Sequence, residues 1–165
     1  MTDNTAQSGA YSAKGSVRSR ASFPLPDVSW DLGAPYWEGA AAGELRLPFC
    51  VACGAPNWYP KRSCGRCHHE VFTWRAVSGR GLLFSFSGVR HPFLPQYASM
   101  VPFVPALVTL DEVPGIRIVT RIVTGVGEVD ASSLFCDAPV DVVFRPLRFD
   151  GVAGEVMAPL FVIRT

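Results

Sequence analysis

Four cysteines constrain this chain more than any other feature of its sequence. Cys50, Cys53, Cys64 and Cys67 form two C-x-x-C pairs separated by the ten residues 54–63. A C-x-x-C turn brings two thiolates onto one ion, and two such turns complete the Cys₄ shell of a structural zinc site. The spacing therefore predicts a zinc ribbon whose metal stabilises the fold, because a complete shell leaves no position for water or substrate.

The surroundings of the cysteines favour this interpretation over two others. Glycines at 54 and 65 are expected to let the backbone turn tightly around sulfur. A disulfide framework is typical of small secreted domains, whereas this chain has 165 residues and shows no secretory signal. A thioredoxin-type redox motif needs a C-x-x-C that opens a helix in a βαβ unit, and neither pair has that context. We expect His68 and His69, which follow the last cysteine, to be exposed and outside the metal shell.

The rest of the chain is long enough for one further small domain, since a ribbon needs only about 30 residues. Hydrophobic residues make up 48% and charged residues only 18%, so we expect part of the apolar surplus to face a partner. No run approaches the roughly 20 apolar residues that span a bilayer, which makes the cytoplasm the expected compartment. The fifth cysteine, Cys136, is predicted to be a buried thiol rather than a nucleophile.

The charge balance argues against a nucleic-acid-binding protein. Fifteen Lys and Arg face fourteen Asp and Glu, for a net charge of +1. Nucleic-acid binding normally leaves a basic footprint. The local basic excess lies in the first twenty residues, which are rich in Ser, Ala and Gly, so residues 1–24 are predicted to be a disordered tail.

A helical segment is predicted over residues 25–44. The stretch PYWEGAAAGEL, residues 35–45, has a proline suited to the first turn and ends near Gly43, a natural stop. Trp30, Tyr36 and Trp37 give this segment a heavy aromatic load. Two interpretations of these aromatic residues stay open: they pack on the ribbon, or they dock on another protein.

Short strands dominate the remainder. The ribbon is placed at 45–70, with a strand at 45–49 and a returning strand at 57–60. A second domain is placed at 71–165, with strands at 71–77, 82–90, 103–110, 116–124 and 140–149, a further candidate at 160–163, and a short helix within 130–137. Without a long amphipathic helix, this pattern indicates a small barrel or sandwich, and a five-stranded OB-type barrel fits the size.

The segment 91–105, HPFLPQYASMVPFVP, is unusual because it combines four prolines with five aromatic or long apolar side chains. Proline disfavours both helix and central strand, so a stiff loop presenting apolar side chains is expected. The loop either covers one end of the barrel or forms the wall of a site for an acyl chain or a partner protein.

Four stretches, PYWEGAAAGELRLPFC, CVACGAPNWYPKRSCGRC, WRAVSGRGLLFSFSGVR and VPFVPALVTLDE, occur here in an order that resembles one known family. The resemblance covers about residues 35–163. Its bacterial and archaeal members join an N-terminal helical segment and a rubredoxin-like zinc ribbon to a C-terminal OB-fold, and are associated with acyl-CoA metabolism. The resemblance implies a mainly β fold with a five-stranded barrel, and Zn²⁺ on the four cysteines. The turn at 113–115 departs from the pattern of many relatives.

The same resemblance implies an accessory role. Such proteins accompany thiolase-like enzymes, MaoC-like enoyl-CoA hydratases of steroid side-chain degradation, or retro-aldol lyases acting on steroid-CoA compounds. It implies a non-catalytic, acyl-CoA-handling subunit of a hetero-oligomer with a thiolase-fold partner, and a steroid side-chain retro-aldolase is the leading candidate for that partner. The candidate contacts with acyl-CoA or the partner are Arg90, His91, Phe93, Tyr97 and Met100, with docking candidates Trp30, Tyr36 and Trp37.

Two functions from other classes have weaker support in the sequence. A single-stranded nucleic-acid module could stack bases on Phe84, Phe86, Phe93 and Tyr97, but the sequence offers few basic residues to accompany them. An independent enzyme could use His91 with Asp111 or Glu112, or Cys136 with a histidine. Two of the three histidines lie in the ribbon, which leaves little material for general acid–base catalysis.

Overall fold

The computed structural model describes residues 22–124 and 129–164, so the predicted tail lies almost entirely outside the described residues. The elements in chain order are α1 (Ala34–Ala41), β1 (Leu45–Cys50), β2 (Phe72–Val77), β3 (Arg80–Phe86), β4 (Val104–Leu110), β5 (Arg117–Ile122), β6 (Pro139–Leu147) and β7 (Val156–Ile163). Two single-turn 3₁₀ helices lie at Pro95–Tyr97 and Ala131–Ser133. Within the described ranges, no helix combines the length and the apolar character needed to cross a bilayer.

The helix α1 is shorter than the predicted 35–45. A proline lies at its start, and the chain leaves it through Gly43, whose φ of 76° is in the left-handed region that favours glycine. The Gly43 N–H donates to the Ala40 carbonyl, which satisfies one of the last helical carbonyls. One face of the helix, with Tyr36, Gly39 and Ala40, is buried.

The ribbon contains a two-stranded antiparallel sheet of β1 and β2, paired from Leu45 opposite Val77 to Cys50 opposite Phe72. One predicted strand is absent, and a second is present but belongs to the ribbon. Residues 57–60 form no strand, since the local pairing is a single bridge between Phe49 and Pro56. Residues 71–77 pair with β1 and are outside the barrel, because the chain returns alongside β1 only after looping around the cysteines.

The other five strands close into a barrel in the order β3-β4-β5-β7-β6, which confirms the five-stranded OB-type prediction. All neighbouring pairs are antiparallel except β5 and β7, which are parallel where Ile122 meets Phe161. The predicted 160–163 candidate is the eight-residue strand β7, and it completes the barrel in place of 71–77.

Alternating side chains of the strands fill the barrel. In β4 the buried positions are Val104, Ala106, Val108 and Leu110, and Phe161 of β7 is completely buried. The same apolar cluster includes Tyr36, Leu45 and Leu47. The helix and the base of the ribbon therefore pack on the barrel through one core, leaving the cysteine loops at the far end of the ribbon.

Candidate metal centre and apolar groove

The four ribbon cysteines converge as the spacing predicts. Their Sγ atoms all lie within 4.8 Å of one another, with 3.6 Å between Cys50 and Cys67 and 3.7 Å between Cys53 and Cys64. Tetrahedral zinc with Zn–S bonds of 2.3 Å places its sulfurs about 3.8 Å apart, so this donor set fits the ion. The zinc-ribbon prediction is confirmed, and bound Zn²⁺ would crosslink the two loops as a closed structural site.

The two cysteine loops share one backbone pattern. The Gly54 N–H donates to the Cys50 carbonyl and the His68 N–H donates to the Cys64 carbonyl, each at 2.9 Å. Both Gly54 and His68 have left-handed φ values, 69° and 60°. The second loop therefore places His68, and not the expected Gly65, at the left-handed position. His68 and His69 are both exposed.

Asn57 is a buried polar residue that the sequence did not single out. Its side-chain amide donates to the Ala55 carbonyl at 3.1 Å and to the Cys64 Sγ at 3.5 Å, and its carbonyl oxygen accepts from the Gly65 N–H at 3.0 Å. The Arg66 N–H also donates to the Cys64 Sγ, at 3.4 Å. These hydrogen bonds, that of Arg66 first, lower the pKa of Cys64 to about 6 and favour the metal-binding thiolate.

An apolar groove of about 460 Å³ forms a second feature, bounded by the 91–105 loop, α1 and the barrel strands β5 to β7. Its lining is aromatic or aliphatic apart from two residues, Thr120 and Arg121. It includes Tyr36, Trp37, Val89, Phe93, Tyr97, Met100, Phe103, Pro105, Val119, Leu147, Phe149, Ala158, Pro159 and Leu160. None of these lining residues is a carboxylic acid, a histidine or a cysteine, and burial raises the pKa of both lining tyrosines, so the groove suits apolar groups better than acid–base chemistry.

Tyr97 organises the aromatic wall of the groove. Its ring centroid lies 4.5 Å from that of Phe93, 5.0 Å from that of Phe149 and 6.0 Å from that of Phe103. Desolvation raises the pKa of Tyr97, although the nearby Arg121 opposes this shift. The Thr120 hydroxyl donates to the Pro159 carbonyl at 3.0 Å, so its polar group is satisfied inside the barrel wall.

The structure gathers some of the predicted contact residues and separates others. Phe93, Tyr97 and Met100 lie together in the groove, whereas Arg90 lines a different cleft beside Asp130. His91 is exposed and lines neither of these two cavities.

The three aromatic residues predicted to dock on a partner differ in exposure. Tyr36 is only 7% exposed and packs against Trp37 and Trp58, so its ring is not available at the surface of the isolated chain. Trp37 is half-buried in the groove, and Trp30 is 46% exposed. Cys136 was expected to be buried and is exposed instead, because it lies in the loop that precedes β6.

Comparison with known families identifies the two regions separately. Residues 37–72 match the family described as "ChsH2, rubredoxin-like zinc ribbon domain", and residues 74–145 match "ChsH2, C-terminal OB-fold domain". The chain belongs to this family. ChsH2-type proteins are also termed DUF35 proteins, as in the "DUF35 domain-containing scaffold protein" of Methanothermobacter thermautotrophicus, which is 28% identical over 65% of this chain and 76% of its own length.

Two further relatives of this ChsH2-type chain are enzyme subunits. A "probable enoyl-CoA hydratase alpha subunit" of Thermomonospora curvata is 33% identical over 108 residues, 64% of this chain but only 32% of the relative. The chain thus spans about a third of that relative's length. The "benzoylsuccinyl-CoA thiolase subunit BbsA" of Geobacter metallireducens is 28% identical over 75% of this chain and 72% of its own length.

Solved structures share the fold. The "Ltp2-ChsH2(DUF35) aldolase" superposes with a TM-score of 0.67 and 23% identity over 85% of this chain and 98% of that chain. A DUF35 protein from Sulfolobus solfataricus superposes with a TM-score of 0.53 and 11% identity, covering 82% of this chain and 87% of that one.

Proposed function

We propose that this chain is a non-catalytic accessory subunit that binds a thiolase-fold partner enzyme and handles its acyl-CoA substrate. The observation that carries the proposal is the apolar groove, which is large enough for part of a ligand and has no carboxylic acid, histidine or cysteine in its lining. A surface of this kind can hold an apolar acyl group while another subunit supplies the chemistry. The relatives named as thiolase, hydratase and aldolase proteins support a role in such an assembly.

The metal centre has a mechanical role in this proposal. Zinc on the four cysteines would hold the loops of the ribbon, while α1 and β1 pack the ribbon base on the barrel. Because Trp37 of α1 also lines the groove, the ribbon, helix and groove are built as one unit. The chain's own residues would bind and orient an apolar group and exclude water from it.

The leading partner is a retro-aldol lyase of steroid side-chain degradation, supported by the fold shared with the Ltp2-ChsH2 aldolase. The second candidate is a MaoC-like enoyl-CoA hydratase, favoured by the 33% identity to the hydratase alpha subunit. A nucleic-acid module is less well supported. The net charge is +1, and two of the proposed stacking residues, Phe93 and Tyr97, are turned to the groove.

The test is co-expression with any thiolase-fold or MaoC-like enzyme that is encoded near this gene, followed by size-exclusion chromatography and assays on long-chain and steroid-CoA substrates. We expect one pair to co-elute and its turnover to depend on this chain. Phe93→Ser should raise KM for bulky acyl groups, whereas Phe135→Ser should not; both side chains are 64% exposed, but only Phe93 lines the groove. Turnover by the isolated chain that is lost on His91→Ala or Cys136→Ser would contradict the proposal.

A further inference from the structure

Apolar side chains form a patch on the outward face of strands β3, β4 and β5, where an exposed antiparallel sheet is normally polar. Residues alternate between the core and the outside along all three strands. Among the outward side chains, Leu82 is 41%, Phe84 is 44% and Val119 is 59% exposed, and Leu107 is half-buried. These side chains cover no core of their own chain, so an apolar surface is left open to a ligand or partner.

Strand register brings these residues into one patch. Leu107 of β4 pairs with Ser85 of β3 on one side and Val119 of β5 on the other. One row along, Thr109 lies between Leu82 and Arg117. The register shifts between Leu83 and Ser85, so Phe84 is an extra residue of the kind that a β-bulge turns outward. We call Leu82, Phe84, Leu107, Arg117 and Val119 the outer patch.

Arg117 supplies the charge of the outer patch. Its guanidinium lies 3.9 Å from the centroid of the Phe84 ring, a cation–π contact that holds the side chain flat on the apolar surface. Among the ion pairs of the described residues, none includes Arg117. No outward position of the three strands carries a carboxylate, and Glu112, just after β4, accepts a hydrogen bond from the Ser78 N–H.

We propose that the outer patch is the surface through which this chain docks on its partner subunit, and that the partner presents apolar side chains around a carboxylate that pairs with Arg117. This assignment rests on the proposed function, which supplies the thiolase-fold subunit as the partner. An arginine matches a carboxylate with two parallel hydrogen bonds, and its apolar surroundings strengthen that pair.

The charge of the outer patch also favours a different protein subunit over a second copy of this chain or a nucleic acid. A second copy packed on the same patch about a two-fold axis would bring two Arg117 side chains together without a facing carboxylate. Nucleic acid would require a broad basic surface to neutralise phosphates. Arg80 and Arg121 also lie at outward positions of these strands, but Arg121 lies over the Phe103 ring at the groove, and only Arg117 lies among the three aliphatic side chains and the ring of the outer patch. A heteromeric protein surface fits both the apolar area and the single charge.

The outer patch is continuous with the groove. Val119 belongs to both, and its strand neighbour Arg121 also lines the groove. A partner seated on the outer patch would therefore border the open side of the groove. This arrangement would let the two subunits enclose one apolar ligand, as the proposed function requires.

The test uses matched pairs of variants and the affinity of the full chain for the co-expressed thiolase-fold subunit. Val119→Glu is compared with Val71→Glu, since these valines are 59% and 56% exposed but Val71 lies in the ribbon. Arg117→Glu is compared with Arg145→Glu, an exposed arginine of β6. We expect Val119→Glu and Arg117→Glu to weaken binding by at least about tenfold, and both controls to stay within about twofold.

The outcomes separate the docking surface from the proposed function. If the unmodified chain binds no thiolase-fold subunit, the proposed function fails and the docking assignment falls with it. If it binds and all four variants bind equally well, the outer patch alone is wrong. Circular dichroism and zinc content verify that each variant is folded.

A photo-crosslinking amino acid in place of Leu82 gives a second readout, which stays informative even if the partner tolerates the glutamates introduced in the other variants. Crosslinks to the partner subunit support the proposal, whereas crosslinks mainly to a second copy overturn it in favour of self-association. Salt-dependent binding of a thymidine oligonucleotide that is lost in Arg117→Glu would overturn it in favour of nucleic acid.

Discussion

Between residues 51 and 71 only Asn57 and Cys64 are buried, whereas the single strand β4 buries Val104, Ala106, Val108 and Leu110. In the cysteine loops Val51, Tyr59 and Val71 are half exposed or more, and only Trp58 packs its ring partly against the core, beside Tyr36. Burial of apolar surface therefore stabilises the barrel much more than the loops. The chain therefore has two sources of stability, metal–sulfur bonds in the cysteine loops and a packed core in the barrel.

Removing one of the four sulfur ligands tests whether metal binding stabilises the cysteine loops. Cys64→Ser should abolish stoichiometric zinc binding, and because structural zinc contributes about 10–16 kcal/mol in zinc-finger peptides, the loops should unfold. Hydrogen exchange should rise across residues 51–71 while the strands of the barrel stay protected. Cys136→Ser, a cysteine outside the shell, is the control and should keep its zinc. Full zinc occupancy in Cys64→Ser would show that the four-sulfur site is wrong.

The converse change removes a barrel side chain. Phe161 is completely buried where β5 meets β7, and Phe161→Ala should lower the free energy of unfolding by about 3–5 kcal/mol because it leaves a cavity. Urea denaturation measures this loss. Phe135→Ala, at a position 64% exposed, should change it by less than about 0.5 kcal/mol. Equal effects of the two substitutions would argue against the barrel core described here.

A substitution of Asn57 tests how much the hydrogen bonds around the cysteines contribute to zinc affinity. Asn57→Ala removes the donor to Cys64 Sγ and leaves the Gly65 N–H without its partner, so zinc affinity should fall by about 10–100-fold. Competition with a chromophoric chelator measures the affinity. Ser63→Ala, in the same loop, is the control and should bind zinc as the unmodified chain does. An unchanged affinity in Asn57→Ala would mean that the four sulfurs alone determine metal binding.

The smallest expected effect concerns the link between the two regions. Hydrogen bonds from Ser78, which lies between β2 and β3, lower the pKa of Glu112 below its ordinary value of 4.5. A depressed pKa contributes stability above pH 4.5 that is lost as the pH falls through the folded-state value. Glu112→Gln should therefore cost less than about 1 kcal/mol at pH 7, because the carboxylate is exposed, and the difference should vanish in acid. Urea denaturation at both pH values checks the sign.

Local sequence patterns predicted most of the fold. The cysteine spacing located the metal centre, since a C-x-x-C turn depends on a few consecutive residues. Alternation and turn residues located the strands of the barrel to within a few residues. The assignment of 71–77 to the barrel failed because pairing with β1 depends on how the intervening loops fold. The tight turn expected at Gly65 lies instead at His68, because the left-handed residue follows the second cysteine of each pair.

The groove shows what such patterns miss. The sequence predicted Phe93, Tyr97 and Met100 as contact residues because they lie close together in one short proline-rich segment. Trp37 and Leu147 line the same groove but belong to α1 and β6. No spacing along the chain connects these elements. The outer patch was missed likewise, because Leu82, Leu107 and Val119 lie on three strands and meet only through register.

The four sulfur ligands, the short strands and the alternation of buried and outward side chains along them could be predicted from the sequence alone, because each depends on a few neighbouring residues. Only the tertiary structure decided which strand completes the barrel, which aromatic residues are buried and which apolar side chains form a groove and an exposed patch. Those outcomes depend on contacts between residues far apart in the chain, and such contacts exist only once the barrel has closed and the ribbon has packed against it.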